Sequence, residues 1–259
     1  MPHFVANISM MFNEHDFLDR FAAAANSGFK AVEFLFPYDY EPGELKEKLT
    51  ESNLKLALFN TYPGDWDKNE RGLASIPGRE MDFEKAVERA LEYANVLGNK
   101  HIHAMSGLVP PGGDPNRHRQ TLIENLKRVV PAAEKAGKVL IIEPINTRDI
   151  PNYFLNFQGQ ARSIIEDVGS ENVKLQFDLY HCQIMEGDLT FHMENSIDIC
   201  AHMQIAGTPG RHEPNVGEVN YPYLFQLMDN LGYTGWVGCE YRPKGTTEEG
   251  LTWFHEALS

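Results

Sequence analysis

The sequence predicts an α/β protein built as a single (β/α)8 TIM barrel over residues 1–259. Three observations predict it. Short β-branched or aliphatic runs alternate with amphipathic helical patterns along the whole chain. Eight such runs give one unit per roughly 32 residues, and a barrel of eight units typically takes ~250 residues. The stretch after the first run, SMMFNEHDF, is poor in glycine, whereas the rival doubly wound sheet would place a glycine-rich turn there.

The first strand is FVANIS (4–9), followed by a helix over 16–27 that stops at Gly28, a residue suited to a C-cap. AVEFLF (31–36) is the second strand, and its helix over 43–52 sets Leu45 and Leu49 one turn apart. KLALFN (55–60) is the third. Its helix over 79–97 carries Phe83, Val87, Ala90, Leu91, Ala94 and Leu97 on one face. HIHAM (101–105) precedes a helix over 117–136 that ends before Gly137. KVLIIE (138–143) precedes one over 158–168. NVKLQFD (172–178) is followed by a loop and then the weakest helical pattern, 189–196. AHMQI (201–205) and GWVGCE (235–240) complete the set, with helices over 221–231 and 247–258. The segment 60–78, NTYPGDWDKNERGLASIPG, has no periodicity. A loop of that length is a lid or disordered, with Trp66 and Leu73 there to be buried on closure; the alternative is a static surface loop packed by Trp66.

With 42% hydrophobic and 23% charged residues, the composition is that of a folded globule. A formal charge of −14 argues against a nucleic-acid or anionic-membrane partner, and no apolar run reaches the ~20 residues of a membrane span. MPHFVANISMMF lacks the basic start and long apolar core of a signal peptide. Three cysteines without a C-x-x-C pair suit a reducing cytoplasm. Association into a homo-oligomer stays open.

Barrel chemistry sits at the carboxyl ends of the strands. There the last four strands place Glu143, Asp178, Gln204 and Glu240 in succession. Each alone could be a helix cap or a partner for a lysine. Together they bring three carboxylates and an amide to one rim, where mutual repulsion demands a cation. The all-oxygen set favours one divalent Mg2+ or Mn2+ over Zn2+ or copper. His181, in the loop after Asp178, is a candidate substrate hydrogen-bond donor. Arg211, in a Gly- and Pro-rich loop, could clamp a substrate carboxylate or pair with Glu213 or Glu218. His101 and His103 alternate with Ile102 and share a face, while Cys239 turns away from the site beside Glu240.

Long motifs then carry a resemblance: IEPINTRDIPNYFLN (142–156), FDLYH (177–181), HMQIAGTPGRHEPNVGEVNYPYLF (202–225) and GWVGCEYRPKG (235–245), supported by FVANISMMF, VEFLFPYDY and NERGLASIPGRE. Over about residues 4–256 the chain resembles the hydroxypyruvate isomerase family of the xylose-isomerase-like TIM barrels. That superfamily also holds ketose 3-epimerases and a zinc-dependent DNA-repair nuclease. The resemblance implies a metal held by Glu143, Asp178, Gln204 and Glu240, with Glu143 and Glu240 also the acid/base pair. It implies interconversion of hydroxypyruvate and 2-hydroxy-3-oxopropanoate (tartronate semialdehyde) through an enediol. The alternatives are a 2-oxo-tetronate isomerase or a related ketose epimerase. In the epimerase branch a histidine stands where this chain has Gln204. A DNA phosphodiesterase would need several zinc ions and many histidines, and a non-catalytic sugar-acid binding barrel would not need two carboxylates flanking one metal.

Overall fold

A ring of parallel strands surrounds a polar shaft, and helices cover its outside. The computed structural model describes residues 1–258. In chain order the strands are β1 His3–Asn7, β2 Ala31–Glu33, β3 Lys55–Leu56, β4 Leu58–Asn60, β5 His101–His103, β6 Val139–Ile142, β7 Val173–Asp178, β8 Cys200–Ile205 and β9 Trp236–Cys239. The helices are α1 Arg20–Asn26, α2 Pro42–Glu51, α3 Glu80–Leu97, α4 Pro115–Lys135, α5 Gln158–Val168, α6 Leu179–Met185, α7 Leu189–Glu194, α8 Tyr221–Asn230 and α9 Thr252–Leu258. Among the described residues no helix is long and apolar enough to cross a membrane.

The strand order is β3-β2-β1-β9-β8-β7-β6-β5-β4, parallel throughout. Strands β3 and β4 are two halves of the third expected strand, broken at Ala57, whose N–H donates to the Val32 carbonyl at 2.9 Å. The Asn60 N–H reaches the Leu35 carbonyl at 2.9 Å, so this broken strand closes the ring.

The other expected strands appear at their predicted places. Most are a few residues shorter, because the rim residues leave the ladder to enter loops. Helix α1 begins later than expected, since Phe17–Asp19 form a 3-10 turn. Helix α3 stops where Gly98 takes a left-handed φ of 88°. Helix α4 starts at Asp114, whose side chain accepts from the Asn116 N–H, with Pro115 in the first turn. Helix α6 corrects the expected loop: Asp178 caps it, accepting from the N–H groups of Tyr180 and His181.

Strand alternation sorts the interior. Phe4, Ala6, Val32, Ile102, Leu140, Ile142, Phe177, Met203, Ile205, Val237 and Cys239 face outward into the apolar layer beneath the helices. Inward positions at the lower end hold small apolar groups: Val5, Ala31, Ala57, Leu58, Val139 and Ile141. Higher up, the inward positions become Asn7, Glu33, His103, Gln176, His202 and Gln204, all buried. The shaft therefore carries mostly apolar groups, with His101 among them, toward the bottom and polar groups toward the carboxyl rim.

Candidate active site

Four side chains meet at that rim. Glu143 lies one residue past β6, Asp178 ends β7, Glu240 lies one residue past β9, and His181 sits in the first turn of α6. One ligating atom from each lies within 4.8 Å of the others, and all four residues are buried. Gln204 pairs with Asp178 in the β7–β8 ladder, so its backbone is at the same level. Its amide is engaged lower in the shaft: the oxygen accepts from Gln176 Nε2 at 2.5 Å, and Nε2 donates to Glu33 Oε1 at 2.8 Å. Four of the expected residues are thus brought together, while the Gln204 amide is turned to Glu33 and Gln176.

Asp178 divides its two oxygens. Oδ1 caps α6, accepting from the Tyr180 N–H at 2.7 Å and the His181 N–H at 3.3 Å. Oδ2 is buried without a hydrogen bond. Capping and a site role therefore coexist in one carboxylate. Glu143 Oε1 is likewise buried and unpartnered, while Oε2 lies 3.5 Å from His103 Nδ1. Glu240 accepts from Asn7 Nδ2 at 3.3 Å through Oε1 and from Arg211 through Oε2.

Burial, with Glu240 and Asp178 beside it, holds the Glu143 carboxyl well above the usual carboxylate range. Burial raises Glu240 too, against the pull of the Arg211 guanidinium. Asp178 is raised by burial against Arg211 and the two N–H groups it accepts. Three buried carboxylates facing one guanidinium leave an excess of negative charge. Two of their oxygens lack any partner, and leaving such groups unmet is costly. This donor set fits a divalent cation, and an oxygen-rich cluster of this kind could hold one.

His181 is set as a donor. Its Nδ1 faces the backbone N–H of Asn146 at 3.3 Å and the Asn146 amide nitrogen at 2.6 Å, so it accepts. The proton then sits on Nε2, 3.5 Å from Asp178 Oδ2 and 3.8 Å from Glu143 Oε1. Burial and the nearby Arg211 push its pKa well below the usual histidine value, so the ring is neutral. A neutral ring with Nε2–H offers a hydrogen bond, not a lone pair, to whatever occupies the site.

Arg211 has a left-handed φ of 56° and lies over the Tyr180 ring, 5.0 Å from its centroid. Its partners are Glu240 and Asp149, the latter at 3.3 Å, and Asp178 Oδ2 is 4.0 Å away. The two nearby glutamates considered from sequence are not its acceptors: Glu213 Oε1 accepts from the Lys244 N–H instead.

Sequence reasoning missed Glu33, Asn7 and His202. Glu33 Oε1 accepts from Asn7 and from Gln204, and its Oε2 lies 2.7 Å from His202 Nε2. A carboxylate inside the apolar run AVEFLF was the available signal. Gly238 makes room for it, because a Cβ there would collide with the Glu33 carboxylate. His103 also belongs to the site. Burial and His202 pull its pKa down to about 3, which keeps it neutral beside Glu143. His101 shares its face but lies lower, near His202.

A cavity of about 460 Å³ opens above Glu143, His181 and Glu240, and its far wall includes Trp66 and Arg71. The loop over 60–78 that supplies this wall is internally tied. The Gly72 N–H donates to the Pro63 carbonyl at 2.8 Å, and Glu70 pairs with Arg79 at 2.5 Å. Leu73 is buried, while Trp66 is exposed at the mouth.

Comparisons with known proteins agree with this architecture. A family model described as xylose isomerase-like TIM barrel matches residues 21–257. A protein of Cupriavidus necator named 2-oxo-tetronate isomerase is 57% identical, with 100% of this chain and 99% of that protein covered. The Escherichia coli protein named hydroxypyruvate isomerase is 49% identical, with 98% of each covered. A solved structure titled AP endonuclease, family 2, from Brucella melitensis superposes with a TM-score of 0.97 at 48% identity, with 99% of each chain covered. The chain belongs to the xylose isomerase-like TIM barrel family.

Proposed function

We propose that this chain is an aldose–ketose isomerase of short 2-oxo acids, interconverting hydroxypyruvate and 2-hydroxy-3-oxopropanoate. The observation that carries the reading is the buried Glu143–Asp178–Glu240 cluster, with two unpartnered oxygens and a neutral His181 at the floor of the cavity. One Mg2+ or Mn2+ would be held by Glu143, Asp178 and Glu240, with Gln204 joining once its oxygen turns from Gln176. When bound, the ion supplies a Lewis acid that polarises a carbonyl oxygen and offsets developing negative charge.

The residues of the chain then divide the remaining work. One of Glu143 and Glu240 takes the proton from carbon 3, and the other delivers a proton to carbon 2. In the reverse direction the two exchange roles. Burial raises both carboxyl pKa values and a bound cation would lower them again, and proton transfer in both directions needs the balance to fall near neutral pH. His181 Nε2–H donates to a substrate oxygen as charge gathers there. Arg211, bound to Glu240 and Asp149, fixes the Glu240 carboxylate and offers a cation to the substrate carboxylate.

A second reading, a 2-oxo-tetronate one carbon longer, is favoured by the 57% identical relative of that name and by the room left before Arg71 and Trp66. Nuclease action on DNA is opposed by the net charge of −14 and by the carboxylate-dominated floor. The test is a panel of hydroxypyruvate and 2-oxo-tetronates under added Mg2+ or Mn2+, followed by NMR in D2O. Conversion of the three-carbon acid supports the first reading, and preference for the four-carbon acid the second. Neither conversion nor solvent exchange with any of these acids overturns both.

A further inference from the structure

We propose a second metal site, suited to Zn2+ and made by Cys182, Glu186 and His192, where α6 turns into α7. Cys182 lies on α6 and Glu186 directly follows its last residue, and the thiol and the carboxylate meet at that end of the helix. Gly187 and Asp188 both take positive φ, 67° and 39°, and fold α7 back so that His192 meets that end. The thiol, one carboxylate oxygen and one ring nitrogen all lie within 4.8 Å of one another. Glu186 Oε2 and His192 Nε2 are 3.7 Å apart.

Gln158, at the start of α5, points to a ligand independently. Its backbone N–H holds Glu186 Oε1 at 2.8 Å, which aims the other oxygen at His192. Its side chain, 2% exposed, lies with its amide against the Cys182 thiol, while its amide oxygen has no hydrogen-bond partner. Buried amides are rarely left so, since each unmet group costs about 1–3 kcal/mol. An ion between the three ligands would give the amide oxygen a partner in the fourth position.

The donor types select the metal. Zinc takes mixed sulfur, nitrogen and oxygen sets in tetrahedral geometry, with bonds of about 2.0–2.3 Å, so the three ligands close slightly around it. Magnesium and calcium want oxygen alone. This separates the site from the carboxylate cluster, which has no thiolate. Burial keeps the Cys182 thiol protonated in the ion-free chain. Binding therefore transfers that proton to solvent as sulfur takes the ion, one proton per ion. Glu186 and His192 are both partly exposed, which gives the ion a way in. An ion there fastens α6, the helix that carries His181, to α7.

The test is titration of the full chain with Co2+, a visible stand-in for zinc, in excess Mg2+. Wild type is expected to develop a sulfur-to-cobalt charge-transfer band that saturates at one ion per chain, releases a proton and is bleached by Zn2+. Glu143→Gln/Glu240→Gln should keep the band, because the barrel cluster has no sulfur. Cys182→Ser should lose it. His192→Ala, which removes a partly exposed side chain, should keep its melting temperature and weaken cobalt binding by at least ~10-fold. No band in wild type, a band that survives Cys182→Ser, or unchanged cobalt affinity in His192→Ala overturns the site.

Discussion

Two arginines border the same cavity and are held in opposite ways. Arg211 is committed to carboxylates: Glu240, Asp149 and, more distantly, Asp178. Those charges pull its pKa up despite its burial. Arg71, on the opposite wall, stacks over Trp66 at 3.7 Å and donates to the Trp66 and Glu70 carbonyls. Burial pulls its pKa down with no carboxylate pushing back. One cation is built into the charge balance of the floor and shares what remains with a substrate. The other makes no ion pair among the described residues and stands at the rim of the space a substrate anion would fill. Position in a loop above the strands does not separate these roles; the company each guanidinium keeps does.

The comparison can be broken or sharpened from the floor outward. Exhaustive chelation is expected to abolish turnover, and Mg2+ or Mn2+ to restore it. At 100 times its dissociation constant a native-state ligand contributes about 2.7 kcal/mol, so a rise in melting temperature of roughly 5–10 °C is expected on calorimetry. Full turnover in metal-free enzyme would leave Arg211 as the sole counter-charge. Next, Glu143→Gln and Glu240→Gln should each bind the ion yet lose ~10²–10⁴-fold in kcat. Near wild-type kcat with metal bound would make that residue a ligand and nothing more.

Arg211→Ala should lower kcat and raise KM together, with kcat/KM down roughly 10–100-fold, because a charged hydrogen bond to Glu240 is lost along with a substrate cation. The smallest effect is expected at Arg71→Ala: KM raised about 3–10-fold with kcat unchanged, measured by steady-state kinetics on the preferred acid. If the two kinetic patterns came out exchanged, the assignment of the two cations would be reversed.

The strand pattern and the acidic ends of β6, β7 and β9 were legible because both are local. A β-run announces itself over a few residues, and a carboxylate at its end needs no partner to be noticed. Four things were not legible. Helix α6 follows β7 without a break, so in the sequence LYHCQIM reads as loop and His181 as a loop residue. The Asp178 that starts the helix was weighed as a ligand or as a cap, and it serves the cap with one oxygen while leaving the other for the site. The partners of Arg211 lie 29 and 62 positions away, and no spacing rule reaches that far. The Gln204 amide is drawn to Glu33, on a strand 171 positions distant in sequence. Parity alone would have placed Glu33 inside the barrel, but not its coupling to Gln204, Asn7 and His202.

The missing side chain of Gly238 has a consequence for how this barrel tolerates change. Its backbone is ordinary, so nothing about its dihedral angles forbids alanine or serine. What resists them is the Glu33 carboxylate in that volume, which would have to give way and strain its contacts with Asn7, Gln204 and His202. Positions 33 and 238 therefore behave as one unit of space shared between two strands. In a library that varies each site alone, 238 should strongly favour glycine and 33 should be nearly fixed. In a library that varies both, short residues at 33 should open 238 to alanine or serine, and such paired solutions would mark where the interior can be re-dimensioned without redrawing the fold.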